Sequence, residues 1–197
     1  MKLKIVSPFL LVFLLFEPCF VQAQENSYDI VIYGGTSAGV AAAVQADRMG
    51  KRLLLIEPTQ RLGGLSSGGL GQTDIGNKAA IGGVSSEFYR DVRRHYDEPD
   101  AWVWQAADEY KSGGQSVTAA GEATMWTFEP RVARDIFHRW VDDNSIEVRF
   151  AQRLDRGADG VTMTDSVPSR IVAIRMQSGE TYRGKMFLDC SYEGDLL

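Results

Sequence analysis

Residues 28–43 read YDIVIYGGTSAGVAAA, and this stretch decides the fold. Its apolar residues 30–33 predict a buried parallel strand, and residues 37–49 predict a helix with one apolar face, which Gly50 ends. A second apolar strand, residues 53–57, finishes on Glu57. Strand, glycine turn, helix and strand within about 30 residues make a βαβ unit. We therefore expect an α/β protein with a Rossmann-like domain built on a parallel sheet.

The glycine turn between the first strand and the helix has the chemistry of a dinucleotide site. The pattern G-x-G-x-x-G falls on Gly34, Thr36 and Gly39, with threonine where the second glycine is expected. Gly34 allows the tight turn, the helix N-terminus offers N–H groups to a pyrophosphate, and Gly39 lets the helix pack close to the sheet. Thr36 either narrows the approach to the pyrophosphate or adds a hydroxyl contact. The alternative is a turn that binds nothing.

Glu57 extends the predicted site to a ribose. It follows Gly39 by 18 residues, close to the place where an acidic side chain accepts hydrogen bonds from ribose hydroxyls. An acid there disfavours a 2′-phosphate, so we do not expect NADP. The predicted contact residues of the turn and the second strand are Gly34, Gly35, Thr36, Ser37, Ala38, Gly39 and Glu57.

A long glycine-rich loop follows the second strand. Residues 57–83, EPTQRLGGLSSGGLGQTDIGNKAAIGG, contain eight glycines, whereas a nicotinamide-binding domain usually continues from this strand into another helix. Such a loop can place its backbone close to an extended ligand, and long loops inside a domain are usually functional. Ser66, Ser67 and Asp74 either approach that ligand or cap turns within the loop.

Several segments resemble known flavoproteins. YDIVIYGGTSAGVAAA, the terminal Glu57 and RLGG at residues 61–64 resemble the FAD-binding half of glutathione-reductase-like proteins. GGLGQTDIG, IGGVSSEFYR, WTFEPRVA and LDCSYEGDL are similar to segments of a bacterial family of FAD-dependent oxidoreductases, so the resemblance runs from Tyr28 to Leu197. It implies an FAD cofactor, a small-molecule substrate that the sequence does not identify and an unknown electron acceptor.

The resemblance also implies cofactor contacts outside the first turn. The glycine loop, whose RLGG segment carries part of the resemblance, can lie close to the extended cofactor. In these flavoproteins the chain after a strand such as residues 145–150 lies by the adenine, and the chain after the last strand passes close to the cofactor. No catalytic acid or base is assigned, because hydride chemistry resides in the flavin ring. The residues implied in this way are Arg61, Gly63, Gly64, Ser66, Ser67, Leu154 and Cys190.

Cysteine usage limits the metal chemistry of the chain. A distant resemblance to the flavoproteins of heterodisulfide reductase would imply iron–sulfur clusters, which need cysteine ligands. The chain has two cysteines, Cys19 and Cys190, and Cys19 precedes the cleavage site predicted below. We therefore expect no iron–sulfur cluster and no metal site. We expect Cys190 to be a small buried residue, because neither an activating group nor a second cysteine accompanies it.

The remaining pattern predicts helices and a β-hairpin. We expect His95 and His138, which fall in the two helices, to be structural or solvated. The predicted helices are residues 84–95 and 131–143, followed by a strand at 145–150 and a strand pair, 170–176 and 180–187, around the turn 177–179.

Residues 97–128 hold three of the four tryptophans and are interpreted as an inserted segment. This segment either covers the flavin or lines a substrate cavity, or its tryptophans pack locally. Related flavoproteins continue with a substrate domain and then return to complete the flavin site. By that resemblance, residues 24–197 form the N-terminal part of an FAD-binding domain that is incomplete at its C-terminus.

The first 23 residues have the pattern of a signal peptide. Two lysines precede an apolar run, residues 9–16, and Val21-Gln22-Ala23 provides the cleavage site. This run is shorter than the about 20 residues that a membrane-spanning helix needs. We expect export to the periplasm or the extracellular space, with no membrane attachment after cleavage. Removing Lys2, Lys4 and Glu17 leaves 19 basic and 25 acidic residues, a net charge of −6, so nucleic acid is not an expected partner.

Three functional hypotheses follow from the sequence. The first is an exported FAD-dependent oxidoreductase. The second is a dehydrogenase that uses a nicotinamide cofactor alone. The third is a non-catalytic exported protein that binds a dinucleotide, which Thr36 at the second glycine position favours.

Overall fold

The computed structural model describes residues 27–110 and 122–196. Six strands in this part of the chain form one mixed sheet of order β3-β2-β1-β6-β5-β4. The strands β3, β2, β1 and β6 run parallel, and β6, β5 and β4 pair antiparallel. The strands are β1 Ser27–Tyr33, β2 Leu53–Glu57, β3 Val148–Phe150, β4 Val161–Met163, β5 Ile171–Arg175 and β6 Thr181–Asp189.

Four α-helices accompany the sheet in the described ranges: α1 Ser37–Arg48, α2 Gly64–Gly68, α3 Gly83–Tyr96 and α4 Pro130–Asp143. Because β1, α1 and β2 follow one another and the two strands are parallel, the predicted βαβ unit is confirmed. The predicted helices at 84–95 and 131–143 and the strand pair are also confirmed. Two differences appear: the strand predicted at 145–150 is limited to β3, and the glycine loop contains the short helix α2.

The two central parallel strands, β1 and β2, are buried on both faces, as their continuous apolar runs predict. Alternate residues of β1 and β2 point to opposite sides: Ile32 and Leu55 pack against the helices, while Val31 and Leu54 belong to a second core. The helical side is filled by apolar residues of α1, α3 and α4, including the stacked rings of Phe88 and Phe137, with centroids 4.9 Å apart. The second core lies against β5 and β6.

The described parts of the tryptophan-rich segment contact α3 and the glycine loop. Trp102 donates from Nε1 to the carbonyl oxygen of Tyr96, and the ring of Trp126 lies 4.2 Å from that of Tyr89. Trp104 is 83% exposed. Residues 111–121 of the predicted insertion fall outside the described ranges, so its role stays a prediction.

Two further expectations concern the whole chain. The predicted signal peptide, residues 1–23, lies outside the described residues. Within residues 27–110 and 122–196, none of the helices combines the length and the apolar character needed to cross a membrane.

Candidate functional site

A cleft of about 540 Å³ lies where the parallel strands β1, β2 and β6 end. Ligands of open α/β sheets bind at the carboxyl ends of the strands, so this is the expected position for a dinucleotide. The cleft is lined by residues that are far apart in sequence. They lie at the end of β1 and just after it (Tyr33, Gly34, Thr36), at the end of β2 and after it (Glu57, Arg61), after β3 (Arg153, Leu154, Arg156) and after β6 (Ser191, Tyr192, Glu193, Asp195).

The turn after β1 has two positions where only glycine fits. Gly34 has a φ of +102°, and a Cβ atom there would lie 2.6 Å from the carbonyl carbon of Cys190. A Cβ atom on Gly39 would overlap the carbonyl oxygen of Gly34. The structure thus gives Gly39 a neighbour that the sequence did not identify: its lack of a side chain lets α1 begin directly against the turn.

Thr36 caps α1 and ties it to the chain after β6. Its Oγ1 accepts a hydrogen bond from the backbone N–H of Gly39 at 3.3 Å and donates one to the carbonyl oxygen of Cys190 at 2.8 Å. A threonine hydroxyl has one hydrogen to donate. In this arrangement that hydrogen is bonded to the carbonyl oxygen of Cys190, so the hydroxyl does not donate to a phosphate. We call Thr36 a cross-tie because its side chain joins the start of α1 to the chain after β6.

Glu57 is a buried carboxylate that faces the glycine turn. It is 6% exposed, and its Oε2 accepts from the backbone N–H of Gly35 at 2.7 Å. Its Oε1 accepts from the backbone N–H and the hydroxyl of Thr59, at 2.7 and 2.6 Å. A carboxylate has about four lone-pair positions, so three protein bonds leave room for one more donor. A ribose hydroxyl fits that remaining position.

The glycine loop contributes to two cavities. Arg61, Gly64 and Gly68 line the main cleft. Ser66 lines a neighbouring cavity of about 270 Å³, together with Ser37 and Ala38 at the start of α1. The two cavities therefore lie on the two sides of α2.

Other loop residues serve the protein's own structure. Ser67 donates from Oγ to the carbonyl oxygen of Leu62, and Gly63 packs against the ring of Phe137. Asp74 is exposed and is not among the residues that line either cavity. Ser67 thus caps the loop, which is the second of the two roles considered from the sequence.

The chain after β6 folds into a tight turn around Asp189. One oxygen of this carboxylate accepts from the backbone N–H and the hydroxyl of Ser191, at 2.9 and 2.7 Å, and the other accepts from the N–H of Leu196 at 2.8 Å. Tyr192 Oη accepts from the backbone N–H of Leu65 at 2.8 Å, which links this turn to α2. This turn therefore closes one side of the cleft.

The turn after β6 adds residues that sequence reasoning did not assign. Ser191, Tyr192, Glu193 and Asp195 all line the cleft, and Asp195 forms an ion pair with Arg156. An aspartate two residues before a serine at the end of a predicted strand is the local signal for such a turn. The hydrogen bond between Tyr192 and Leu65 of α2 joins residues far apart in sequence and has no such local signal.

Cys190 meets the turn through its backbone. Its N–H donates to the carbonyl oxygen of Tyr33 at 2.7 Å, and its own carbonyl accepts from Thr36. The thiol is half-buried, and burial together with the nearby charge of Asp189 raises its pKa. A raised pKa keeps the sulfur protonated and less nucleophilic, in line with a packing role.

Leu154 lies in the cleft, but its backbone N–H is already bonded. The residue is buried and lines the cleft beside Tyr33. Its N–H donates to Tyr33 Oη at 3.0 Å. The backbone contact to adenine that the resemblance implies would therefore need the carbonyl of Leu154 or a rearrangement of this bond.

The two histidines lie away from the cleft, as the sequence suggested. His95 is at the end of α3, where burial, followed by the charge of Arg131, lowers its pKa. His138 lies in α4 with its ring 6.4 Å from that of Phe150. In the described ranges no group of His, Cys, Asp and Glu side chains is arranged to hold a metal ion.

The cleft fits a dinucleotide in its chemistry. Glycines hold the backbone of the turn where side chains would overlap it, α1 begins at the floor of the cleft, and a buried carboxylate with one open position faces the turn. The first N–H groups of a helix have no partners within the helix and favour a pyrophosphate. The residues present therefore suit FAD.

Comparisons with known proteins agree with this geometry. The family described as FAD dependent oxidoreductase matches residues 29–197. A vinyl phenol reductase from Lactiplantibacillus plantarum is 27% identical over an aligned length of 179 residues, and the match covers 81% of this chain and 35% of that protein. The chain thus spans about a third of the length of this curated relative.

Solved structures share the fold. THI4 from Thermovibrio ammonificans is 12% identical, with a TM-score of 0.53 over 85% of this chain and 58% of its own. The flavin-dependent brominase Bmp2 is 17% identical, with a TM-score of 0.53 over 84% of this chain and 38% of its own. At these identities the similarity shows the fold alone. The family match, which spans nearly all of the described residues, shows that this chain belongs to the FAD dependent oxidoreductase family.

Proposed function

We propose that this chain binds FAD in the cleft at the ends of β1, β2 and β6 and is part of an oxidoreductase. The observation that carries the proposal is the contact between Glu57 and Gly35, which holds a ribose acceptor beside the glycine turn. Bound FAD would supply hydride and electron transfer at its flavin ring. The residues of this chain bind and orient the cofactor.

Each part of the cleft has a distinct task in this proposal. The N-terminus of α1, whose cap Thr36 lines the cleft, would face the pyrophosphate, and Glu57 would accept a ribose hydroxyl. The hydroxyl of Thr36 holds the start of α1 against the chain that follows β6. Arg61 lies on the rim of the same cleft, where its positive charge complements the phosphates.

The absorption spectrum of the purified chain tests the binding proposal. After FAD is added and the excess removed, we expect retained flavin bands for the natural chain and none for Gly34→Val, because the added side chain would overlap the peptide after Cys190. The matched control is Gly76→Val, where nothing lies within 4 Å of the added atom. A folded natural chain that stays colourless would contradict the proposal, and would favour a nicotinamide cofactor or no cofactor.

The proposed activity is flavin-mediated reduction or oxidation of a small molecule with an electron acceptor still to be found. The similarity to a vinyl phenol reductase makes vinyl phenols the first compounds to assay. The assay follows the loss and return of the flavin absorption on adding donor and acceptor. A chain that holds FAD but never changes its redox state with any donor would instead support the non-catalytic binding protein.

We also propose that the protein is exported, to the periplasm or the extracellular space. The basic, apolar and small-residue order of residues 1–23 supports this. Expression of the full chain in a bacterium, followed by N-terminal sequencing of the protein from each fraction, tests it. We expect an exported protein that begins at Gln24, and a cytoplasmic protein that keeps residues 1–23 would contradict export.

A further inference from the structure

Tyr33 is a buried tyrosine at the end of β1, next to the glycine turn. Tyr33 is 2% exposed and belongs to the second core, which lies against β5 and β6. It also lines the cleft. Its hydroxyl oxygen accepts the backbone N–H of Leu154 at 3.0 Å. This bond holds the hydroxyl oxygen of Tyr33 next to the chain that follows β3.

The hydroxyl of Tyr33 keeps its own hydrogen available. A phenol can accept and donate at the same time, and only the accepting side is used by Leu154. In residues 27–110 and 122–196 no acceptor for the hydroxyl hydrogen is found. Burial raises the pKa of Tyr33, and the nearby charge of Asp195 acts in the same direction, so the group remains a donor at neutral pH.

Three other hydroxyls in the cleft already donate within the protein. Thr36 donates to the carbonyl of Cys190, Thr59 donates to Glu57, and Ser191 donates to Asp189. Tyr192 is 61% exposed, and its oxygen faces α2. Tyr33 is therefore the buried hydroxyl of this cleft that has a hydrogen to offer to a ligand.

Tyr33 lies in the part of the cleft that the base of a dinucleotide would reach. With the pyrophosphate at α1 and the ribose at Glu57, the base extends toward the rest of the cleft, where Tyr33 and Leu154 lie side by side. Leu154 is apolar and suits the face of a base. The ring nitrogens of adenine that carry no hydrogen are acceptors for a hydroxyl donor.

We propose that Tyr33 recognises the adenine of FAD: its hydroxyl, held by the N–H of Leu154, donates a hydrogen bond to one ring nitrogen of the base. This inference rests on the proposed FAD-binding function. It assigns to a side chain the adenine contact that the backbone N–H of Leu154 cannot make while it is bonded to Tyr33.

Calorimetric titration with ADP and its deaza analogues tests the inference. In each analogue one ring nitrogen of adenine is replaced by C–H, so the series removes one acceptor at a time. We expect one analogue to bind the natural chain about fivefold to tenfold more weakly than ADP, the effect of one lost hydrogen bond. Tyr33→Phe should bind ADP and that same analogue equally, and should respond to the other analogues as the natural chain does.

The control variant and the other outcomes separate the explanations. Tyr28→Phe removes a hydroxyl from the same strand and the same core, but that hydroxyl bonds Glu147 outside the cleft, so its analogue profile should match the natural chain. If Tyr33→Phe weakens ADP and all analogues by one common factor, Tyr33 acts only on structure and the inference is wrong. If the natural chain binds neither FAD nor ADP, the proposed function itself fails, and the inference fails with it.

Discussion

The carboxylate of Glu57 at the end of β2 accepts a hydrogen bond of 2.7 Å from the backbone N–H of Gly35 after β1. This bond joins the two neighbouring strand ends that face the cleft, across 22 residues of sequence. Because Thr59 bonds the other carboxylate oxygen, the acid cannot turn away from the turn without breaking three bonds. The carboxylate that we propose as the ribose acceptor is therefore held in place without a ligand, which would lower the ordering cost of binding.

Glu57→Gln should weaken FAD binding. The amide keeps one acceptor oxygen but turns the other into a donor, which opposes either the N–H of Gly35 or the donors of Thr59. We expect the Kd for FAD to rise about tenfold or more, since hydrogen bonds to charged groups contribute about 1.5–3 kcal/mol. Flavin fluorescence titration measures this, with Glu98→Gln on the exposed surface as the control. An unchanged Kd in a folded Glu57→Gln protein would remove Glu57 from the site.

Gly39→Ala should destabilise the chain even without a ligand. The added methyl group would overlap the carbonyl oxygen of Gly34, so α1 or the turn must shift. We expect a loss of about 1–3 kcal/mol in the free energy of unfolding, as for other overpacked sites. Urea unfolding measures it. Gly76→Ala, which adds a methyl group in open space, should stay within about 0.5 kcal/mol of the natural chain. Equal stability of the two variants would contradict the close approach.

Substitutions of Thr36 should separate its hydroxyl from its shape. Thr36→Val removes the acceptor of the Gly39 N–H and the donor to Cys190, so we expect a loss of about 1–2 kcal/mol in unfolding free energy. Thr36→Ser keeps the hydroxyl and should lose less than half of that amount. Thermal and urea unfolding of the two variants give the comparison. If the Thr36→Val protein has the same free energy of unfolding as the Thr36→Ser protein, the hydrogen bonds of the Thr36 hydroxyl do not contribute to stability.

Asp91 should be the strongest polar link between α3 and α4. This carboxylate is 8% exposed and accepts from Trp140 Nε1 at 2.9 Å and from Arg139 at 2.7 Å, with Arg94 as a third partner. Asp91→Ala should lower the free energy of unfolding by about 2–3 kcal/mol, because it leaves a buried donor unpaired.

The matched control for Asp91 is Asp97→Ala. Asp97, which directly follows α3, pairs with Arg93 one turn earlier at the surface, and such pairs contribute about 0.3–0.5 kcal/mol. Measured by urea unfolding, the loss in free energy of unfolding should therefore be severalfold larger for Asp91→Ala than for Asp97→Ala. Similar losses for the two variants would show that the Asp91 contacts add nothing beyond an ordinary surface pair.

The thiol of Cys190 should titrate above its usual range. Burial, followed by the charge of Asp189, raises its pKa in the folded chain, so the fold favours the protonated thiol. This contribution to stability is present below the unfolded pKa of about 8.5 and is lost as the pH rises through the folded pKa. A thiol reagent applied to a Cys19→Ser chain should give a pH–rate midpoint above that of the unfolded chain. A midpoint below it would indicate an activated thiolate.

Local patterns predicted the fold and the centre of the site because their causes are local. The apolar run before Gly34, the periodicity of residues 37–49 and the acid at the end of the next strand each follow from neighbouring residues. The same patterns placed Gly34, Gly39 and Glu57 at one edge of the sheet, where the glycine turn and the carboxylate meet in the structure.

Contacts between distant residues could not be predicted in this way. The bond from Leu154 to Tyr33 spans 121 residues and the bond from Leu65 to Tyr192 spans 127, so each depends on how the sheet and the hairpin meet. The role of Thr36 as a cross-tie likewise needs the position of Cys190, 154 residues away. The short helix α2 was missed because a segment of glycines and serines has little helical propensity.

The most direct test of the account is a crystal structure of this chain grown with FAD. We predict density in the cleft at the ends of β1, β2 and β6, with the pyrophosphate at the start of α1 and a ribose hydroxyl against the carboxylate of Glu57. Density for FAD at any other place on the molecule, with this cleft closed by its own side chains, would contradict the central claim.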